Sequence, residues 1–125
     1  MYRSSSSAGV VVLLLLAASS VRAAPSPAAE FQRNVAEAKA HFDSQSYEQA
    51  IESLRAAYLI QPLPRLLMNM GSAFRKLNRH AEAVTYYDRY LREDVNIPAA
   101  DRSDIEAYLL SQRPKPPPPV VALPP

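Results

Sequence analysis

The stretch AKAHFDSQSYEQAIESLRAAYLIQP, residues 38–62, decides the fold. Its apolar side chains recur at spacings of three and four on either side of a short polar break, which predicts two amphipathic helices. Ser46 followed by Gln49 predicts a capping box at the start of the second helix. Pro62 ends that helix because the residue before a proline is displaced from the helical region. Pro64 can then open the next helix at its first turn.

The pattern recurs further along the chain at a constant offset, so that residues 31–62 and 64–98 form two related units. A repeat period in the thirties is typical of solenoids built from stacked helix pairs. Asn78 is expected to end the first helix of the second unit in a left-handed turn, which asparagine tolerates well. The residues that match between the units are Ala38 and Gly71, Ala50 and Ala83, Ile51 and Val84, Leu54 and Tyr87, and Tyr58 and Leu91.

A final helix is predicted from about Ala99 to Gln112, with Ile105 and Leu109 on its apolar face. Repeat units cannot bury their apolar faces alone, and about three are usually needed. The final helix is therefore expected to cap the second unit, and dimerisation or docking on a partner is a further expectation. The sequence thus predicts an all-α fold over residues 28–112: an α-solenoid of antiparallel helix pairs, about two units and a C-terminal capping helix.

Residues 1–24 have the features of a secretory signal peptide. A positive charge near the start precedes an unbroken apolar run of about eleven residues, AGVVVLLLLAA at 8–18. A membrane-spanning helix needs about 20 apolar residues, and this run is well short of that. Residues 21–23, Val-Arg-Ala, supply the short side chains that a signal peptidase reads. We therefore expect export to the periplasm with cleavage after Ala23 or Ala24, and no membrane span afterwards.

The C-terminal end, residues 113–125, is rich in proline and reads PKPPPPVVALPP from Pro114. Such a sequence favours an extended polyproline conformation without internal hydrogen bonds. The sequence predicts a disordered tail, and leaves open whether it is a linker or a docking strand.

The composition and the spacing of reactive residues exclude several classes of function. From Pro25 onward 12 basic residues stand against 12 acidic ones, so no basic stripe indicates a nucleic-acid partner. The chain has no cysteine, which excludes disulfides, thiol catalysis and cysteine-rich zinc sites. Gly9 and Gly71 are isolated and form no phosphate-binding loop. His41 and His80 lie in different units, and the sequence predicts no metal, no cofactor and no enzyme activity.

The motif A-x-x-x-F-x-x-x-x-Y-x-x-A-I-x-x-L-x-x-A-Y-x-x-x-P, residues 38–62, resembles a tetratricopeptide repeat. The run NMGSAFRKL, residues 69–77, resembles the first helix of a second such repeat. The resemblance covers most of the predicted helical domain, and the whole arrangement is similar to short exported repeat proteins of Gram-negative bacteria. It implies a module that binds a protein or peptide of the cell envelope. The alternative is a structural spacer or a self-associating assembly subunit, with homodimerisation left open.

The resemblance also implies where a partner would bind, because the first helix of each tetratricopeptide unit lines a concave groove. Asn69 matches an asparagine that many domains of this family use to hold a peptide. The residues that the resemblance places in the groove are Lys39, Phe42 and Asp43 from the first unit and Arg65, Asn69, Ser72, Arg75 and Lys76 from the second.

Overall fold

The computed structural model describes residues 22–120, 122 and 124, and in that part of the chain every regular element is an α-helix. The helices are α1 (Pro27–Asp43), α2 (Tyr47–Ile60), α3 (Pro64–Lys76), α4 (His80–Glu93) and α5 (Ala99–Ser111). The predicted all-α fold is confirmed. None of these helices is long and apolar enough to cross a membrane. The predicted signal peptide, residues 1–24, falls almost entirely on residues 1–21, which lie outside the described part.

Short turns join the helices and set their relative directions. Three residues separate α1 from α2, α2 from α3, and α3 from α4, so that consecutive helices form antiparallel hairpins. Each helix packs against the next one along the chain. The predicted helix pairs are therefore present as α1–α2 and α3–α4, while their stacking into a solenoid stays a prediction.

A left-handed residue ends the first helix of each pair. Gln45 has a φ of 61° and Asn78 a φ of 57°, and the two positions correspond in the repeat as Ala38 corresponds to Gly71. After α3, the N–H of Arg79 donates to the carbonyl of Phe74 at 2.9 Å, and the N–H of Asn78 donates to that of Arg75 at 3.1 Å. This pair of bonds is the Schellman motif, which satisfies carbonyls at the helix end. The predicted left-handed turn at Asn78 is confirmed.

The capping box predicted at Ser46 is wrong, although α2 does begin directly after that residue. The Ser46 side chain makes no capping hydrogen bond and instead accepts one from the Ser44 hydroxyl at 3.2 Å. A capping box also needs the Ser46 N–H, for the side chain at position 49. That N–H already donates to the carbonyl of His41 at 2.8 Å, because the Schellman turn of α1 runs directly into α2.

Replacing Gln45 with glycine should stabilise the domain by about 1 kcal/mol, since a side chain in the left-handed region costs about that much and glycine avoids it. The matched control is Gln49→Gly within α2, which should destabilise by about 1 kcal/mol through lost helix propensity. Urea unfolding followed by circular dichroism measures both. Shifts of the same sign in the two variants would contradict the assigned turn.

The core lies between the paired helices and extends to α5. The small residues matched between the two units, Ala38, Ala50, Gly71 and Ala83, are all buried, which lets the helices approach closely. Ile105 and Tyr108 of α5 are buried as well, at 3% and 7% exposure. The ring of Tyr108 meets the ring of Tyr87 edge-on, with the centroids 5.6 Å apart. The final helix therefore caps the second pair, as its apolar face predicts.

Candidate functional site

One face of α3 carries a stripe of polar side chains, which we call the α3 stripe: Arg65, Asn69, Ser72 and Lys76. Successive members are four, three and four residues apart, a spacing that brings side chains to one side of a helix. Arg65 and Lys76, at the two ends, are exposed, while Asn69 and Ser72 are half-buried between them. The buried residues of α3, including Leu67 and Phe74, hold the opposite side against the core.

The C-terminal half of the α3 stripe borders a surface depression of about 520 Å³. The depression lies between α3, α4 and α5, and its walls are Ser72, Arg75, Lys76, Asn78, Tyr87 and Asp104. Three of the eight residues predicted for the groove thus come together here. Arg65 and Asn69 lie on the same helix but do not line the depression. The three predicted residues of α1 do not line it either.

Arg75 is held by the capping helix. Its Nη1 atom donates to Oδ2 of Asp104 at 3.2 Å, and its guanidinium lies 4.3 Å from the ring centroid of Tyr108. Burial works against the charged form of Arg75. The influence of the Tyr87 hydroxyl and the charge of Asp104 outweigh that effect and raise its pKa above the ordinary value. Arg75 therefore joins α3 to α5 as well as facing the depression.

The bottom of the depression is polar, although the aromatic ring that lies beneath it, that of Tyr87, belongs to the core. Tyr87 is only 2% exposed, yet its hydroxyl lies 3.0 Å from Oγ of Ser72. The sequence assigned Tyr87 to the core alone, and neither Asn78 nor Asp104 was among the residues predicted for the groove. Asp104 could have been found, because it lies four residues before Tyr108 and therefore on the same side of α5.

Of the three groove residues predicted on α1, two form an ion pair with each other and the third packs against a neighbouring aromatic ring. Nζ of Lys39 donates to Oδ2 of Asp43 at 2.7 Å, and both side chains are largely exposed. The ring of Phe42 is half-buried and meets Tyr47 of α2 edge-on, with centroids 5.6 Å apart. Since the Lys39–Asp43 pair cancels its own charge, this part of α1 offers a partner no net charge.

His80 has a structural role that the sequence did not reveal. Its Nδ1 atom lies 2.6 Å from the hydroxyl of Tyr108, a contact that joins the start of α4 to α5. Over the described residues, no group of three or more histidine, cysteine, aspartate or glutamate side chains is placed to hold a metal ion.

The electrostatic character of α3 is basic. The helix contains Arg65, Arg75 and Lys76 and no acidic residue. Among the ion pairs between described residues, only Arg75 of these three takes part, with Asp104. Arg65 and Lys76, at the two ends of the α3 stripe, therefore form no ion pair with another described residue.

Helix pairs joined by short turns, with a solvent-facing polar stripe on the first helix of the second pair, define a helical-repeat scaffold. Residues 64–94, which contain α3 and α4, match the model of the tetratricopeptide repeat family. The resemblance read from the sequence is thereby confirmed for the second unit. Comparisons with curated proteins and with solved structures found no significant match. Tetratricopeptide repeats are generally non-enzymatic scaffolds for protein–protein interaction, and the match indicates a protein partner.

Proposed function

We propose that this protein is an exported interaction module that binds an acidic peptide segment of another protein along the α3 stripe. The observation that carries the proposal is the pair of free positive charges, Arg65 and Lys76, at the two ends of a half-buried polar stripe. Asn69 and Ser72 between them supply the donors and acceptors that can fix a peptide backbone. The depression next to Ser72 and Lys76 provides room for a side chain of the ligand.

The dimensions of the stripe support a short extended ligand. Arg65 and Lys76 are eleven residues apart on one helix, which places them about 16 Å apart along its axis. An extended peptide covers that distance with about five residues. Carboxylates at both ends of such a segment would meet one basic side chain each, and charge complementarity of this kind speeds association and sets orientation.

Export is part of the proposal, and the sequence of residues 1–24 supports it through the short apolar run and the small residues that follow. The partner is then a protein of the cell envelope, reached after cleavage behind Ala23 or Ala24. Residues 25 and 26 precede α1 directly, so that cleavage leaves all five helices intact.

The proposal predicts that peptides selected from a random display library against the exported protein are acidic and depend on the α3 stripe. The double variant Arg65→Gln/Lys76→Gln should bind the selected peptides at least tenfold more weakly, since each charge-assisted hydrogen bond is worth about 1.5 kcal/mol or more. The matched control is Arg92→Gln, which removes an exposed charge from α4. Fluorescence anisotropy measures the affinities of the selected peptides. Export is tested separately, by the intact mass of the protein recovered from the periplasm, which should correspond to cleavage after Ala23 or Ala24.

Two outcomes would contradict the proposal. One is that the selected peptides lack acidic residues, or that they bind the double variant and the control with equal affinity. The other is a protein that keeps residues 1–24 when it is expressed from its full sequence, which would overturn export while leaving peptide binding intact.

A self-associating assembly subunit remains the second candidate function. One observation favours it: α5 has a second apolar side, directed away from the core, which the groove proposal does not use.

A further inference from the structure

Helix α5 is apolar on two sides, and only one of them is covered. Ile105 and Tyr108 are buried against the second helix pair. Leu109 is half-buried and packs against the core, whereas Leu110 exposes 64% of its surface. A helix with one apolar stripe suffices for a cap on a folded domain. The exposed Leu110 therefore needs a different explanation.

The outward side of α5 forms a continuous surface with α4. Two adjoining depressions of about 290 and 520 Å³ lie along the seam between the helices, and they share the lining residues Asp88, Leu109 and Arg113. We call this surface the α4–α5 face and define it by Val84, Asp88, Leu91, Glu106, Leu109, Leu110 and Arg113. Apolar and charged side chains are mixed on it, and the charged Asp88 and Arg113 line both depressions.

The position of the α4–α5 face in the repeat indicates that its occupant is a helix. Helix α5 packs against α4 as α3 packs against α2, in the order expected for the first helix of a third pair. No second helix of that pair follows in the described chain, because residues 114–120 have no regular secondary structure. The seam where that helix would pack is left open. An unpaired repeat unit of this kind leaves apolar surface uncovered.

The chain's own tail does not supply the missing helix. The proline run from Pro114 lacks the backbone donors that a helix needs. Val120, which follows that run, is 95% exposed and so does not lie in the seam. A helix with an apolar side would fit the seam, and α5 itself is such a helix.

The charges along α5 are complementary to those of a second α5 helix that runs in the opposite direction. Glu106 and Arg113 lie on the same side as Leu109 and Leu110, at helical spacings of three and four. The N–H of Arg113 donates to the carbonyl of Leu110 at 3.3 Å, so Arg113 continues the last helical turn. Arg113 takes no part in the ion pairs formed among the described residues. Glu106 meets only Arg102, at 3.4 Å in an exposed pair, a weak contact that leaves it free for another partner.

We infer that the α4–α5 face binds a second copy of this chain through antiparallel pairing of the two α5 helices. With the two-fold axis between Leu109 and Leu110, Leu109 of one copy meets Leu110 of the other. The same register sets Glu106 of each copy opposite Arg113 of the other, which makes two identical ion pairs. A two-fold interface requires such self-complementarity, and Glu106 and Arg113 supply it in charge.

The inference is independent of the peptide site on α3, and sedimentation velocity of the purified protein over a range of concentrations tests it. The unaltered protein should form a dimer as its concentration rises. Leu110→Asp should weaken dimerisation at least tenfold. Leu59→Asp is the matched control, because Leu59 is 86% exposed on α2 and lies outside the α4–α5 face. Equal circular dichroism spectra establish that both variants are folded. A protein that is monomeric at every concentration, or a control as disruptive as Leu110→Asp, would overturn the inference.

Charge reversal tests the antiparallel register. Glu106→Arg and Arg113→Glu should each weaken self-association, since like charges then face each other twice in the dimer. An equimolar mixture of the two variants should dimerise as well as the unaltered protein, because both contacts in the mixed dimer join opposite charges. A mixture that stays monomeric would overturn the proposed pairing.

A chain that ends at Pro114 distinguishes the second copy from the tail as the occupant of the α4–α5 face. Removing residues 115–125 should leave the dimer dissociation constant unchanged. Tighter dimerisation of the shortened chain would mean that the tail competes for the face, and would overturn the inference that a second copy is its main occupant.

Discussion

A chain that ends after Pro98, and so lacks α5, should lose its cooperative thermal unfolding transition or aggregate. Helix α5 buries Ile105 and Tyr108, and full burial of one large apolar side chain is worth about 1.5–3 kcal/mol. Small domains have total stabilities of about 5–15 kcal/mol, so the loss of both side chains removes a large share. The truncation also exposes the ring of Tyr87, which packs against Tyr108.

Contacts at both ends of α5 add to this effect. Near its start, burial raises the pKa of Tyr90, and the charges of Asp94 and of Asp101 on α5 add to the increase. Further along, Tyr108 meets Arg75 and His80. Removing α5 therefore leaves polar partners on α3 and α4 without their contacts as well as apolar surface without cover.

The control is a chain that ends after Gln112, which keeps all of α5 and loses only the proline-rich tail. Its transition should stay close to that of the unaltered protein, because residues 114–120 are exposed and have no regular structure. Differential scanning calorimetry at low protein concentration compares the chains while dimerisation is minimal. If both truncations melt alike, α5 does not stabilise the repeat pairs and the assigned cap is wrong.

Much of the fold could be predicted because it depends on local rules. The proline at position 64 opens α3 at its first position, as the sequence predicts. Asn78 was recognised as a helix end because asparagine adopts left-handed conformations readily. Gln45 was not, since glutamine has no such preference, although it occupies the position in the first unit that corresponds to Asn78 in the second. The wrong capping box at Ser46 came from the same omission, because the unrecognised turn takes up the Ser46 N–H.

Less of the candidate site could be predicted, because it depends on how helices meet. Helical spacing and the family resemblance placed the polar side chains of α3 on one face. Neither could reveal that Asp104 of α5 pairs with Arg75, since that contact joins residues 29 positions apart through the packing of α5. For the same reason the sequence assigned Tyr87 to the core without its hydroxyl contact to Ser72. The exposed Leu110 of α5 was also outside the predicted site, because the helical spacing placed only its core-facing neighbours on an apolar face.

Gly71→Val should destabilise the domain by about 3 kcal/mol, the upper end of the usual cost of overpacking a core. A glycine inside a helix costs about 1 kcal/mol relative to alanine, so its presence in the middle of α3 calls for a packing reason. The reason is the ring of Tyr87. A Cβ atom at position 71 would lie 2.7 Å from Cδ1 and 2.8 Å from Cε1 of that ring, well inside van der Waals contact.

The Tyr87 ring cannot move aside without losing other contacts. Its edge-on packing with Tyr108 and its hydroxyl contact with Ser72 hold it from two sides, and it is only 2% exposed. The clash must therefore push α4 away from α3 or displace the ring from beneath the depression. Either movement opens the packing between the second helix pair and α5, which is why the cost should exceed that of a single added methyl group.

The matched control is Ala36→Val, which introduces the same β-branched side chain at an exposed position of α1. It should cost only the difference in helix propensity, less than about 1 kcal/mol. Urea unfolding of both variants and of Gly71→Ala separates the two effects. The alanine variant should also be less stable than the unaltered protein, because its single Cβ meets the ring despite the better helix propensity. Equal stability of Gly71→Val and Ala36→Val would mean that α3 and α4 do not pack through Gly71 and Tyr87.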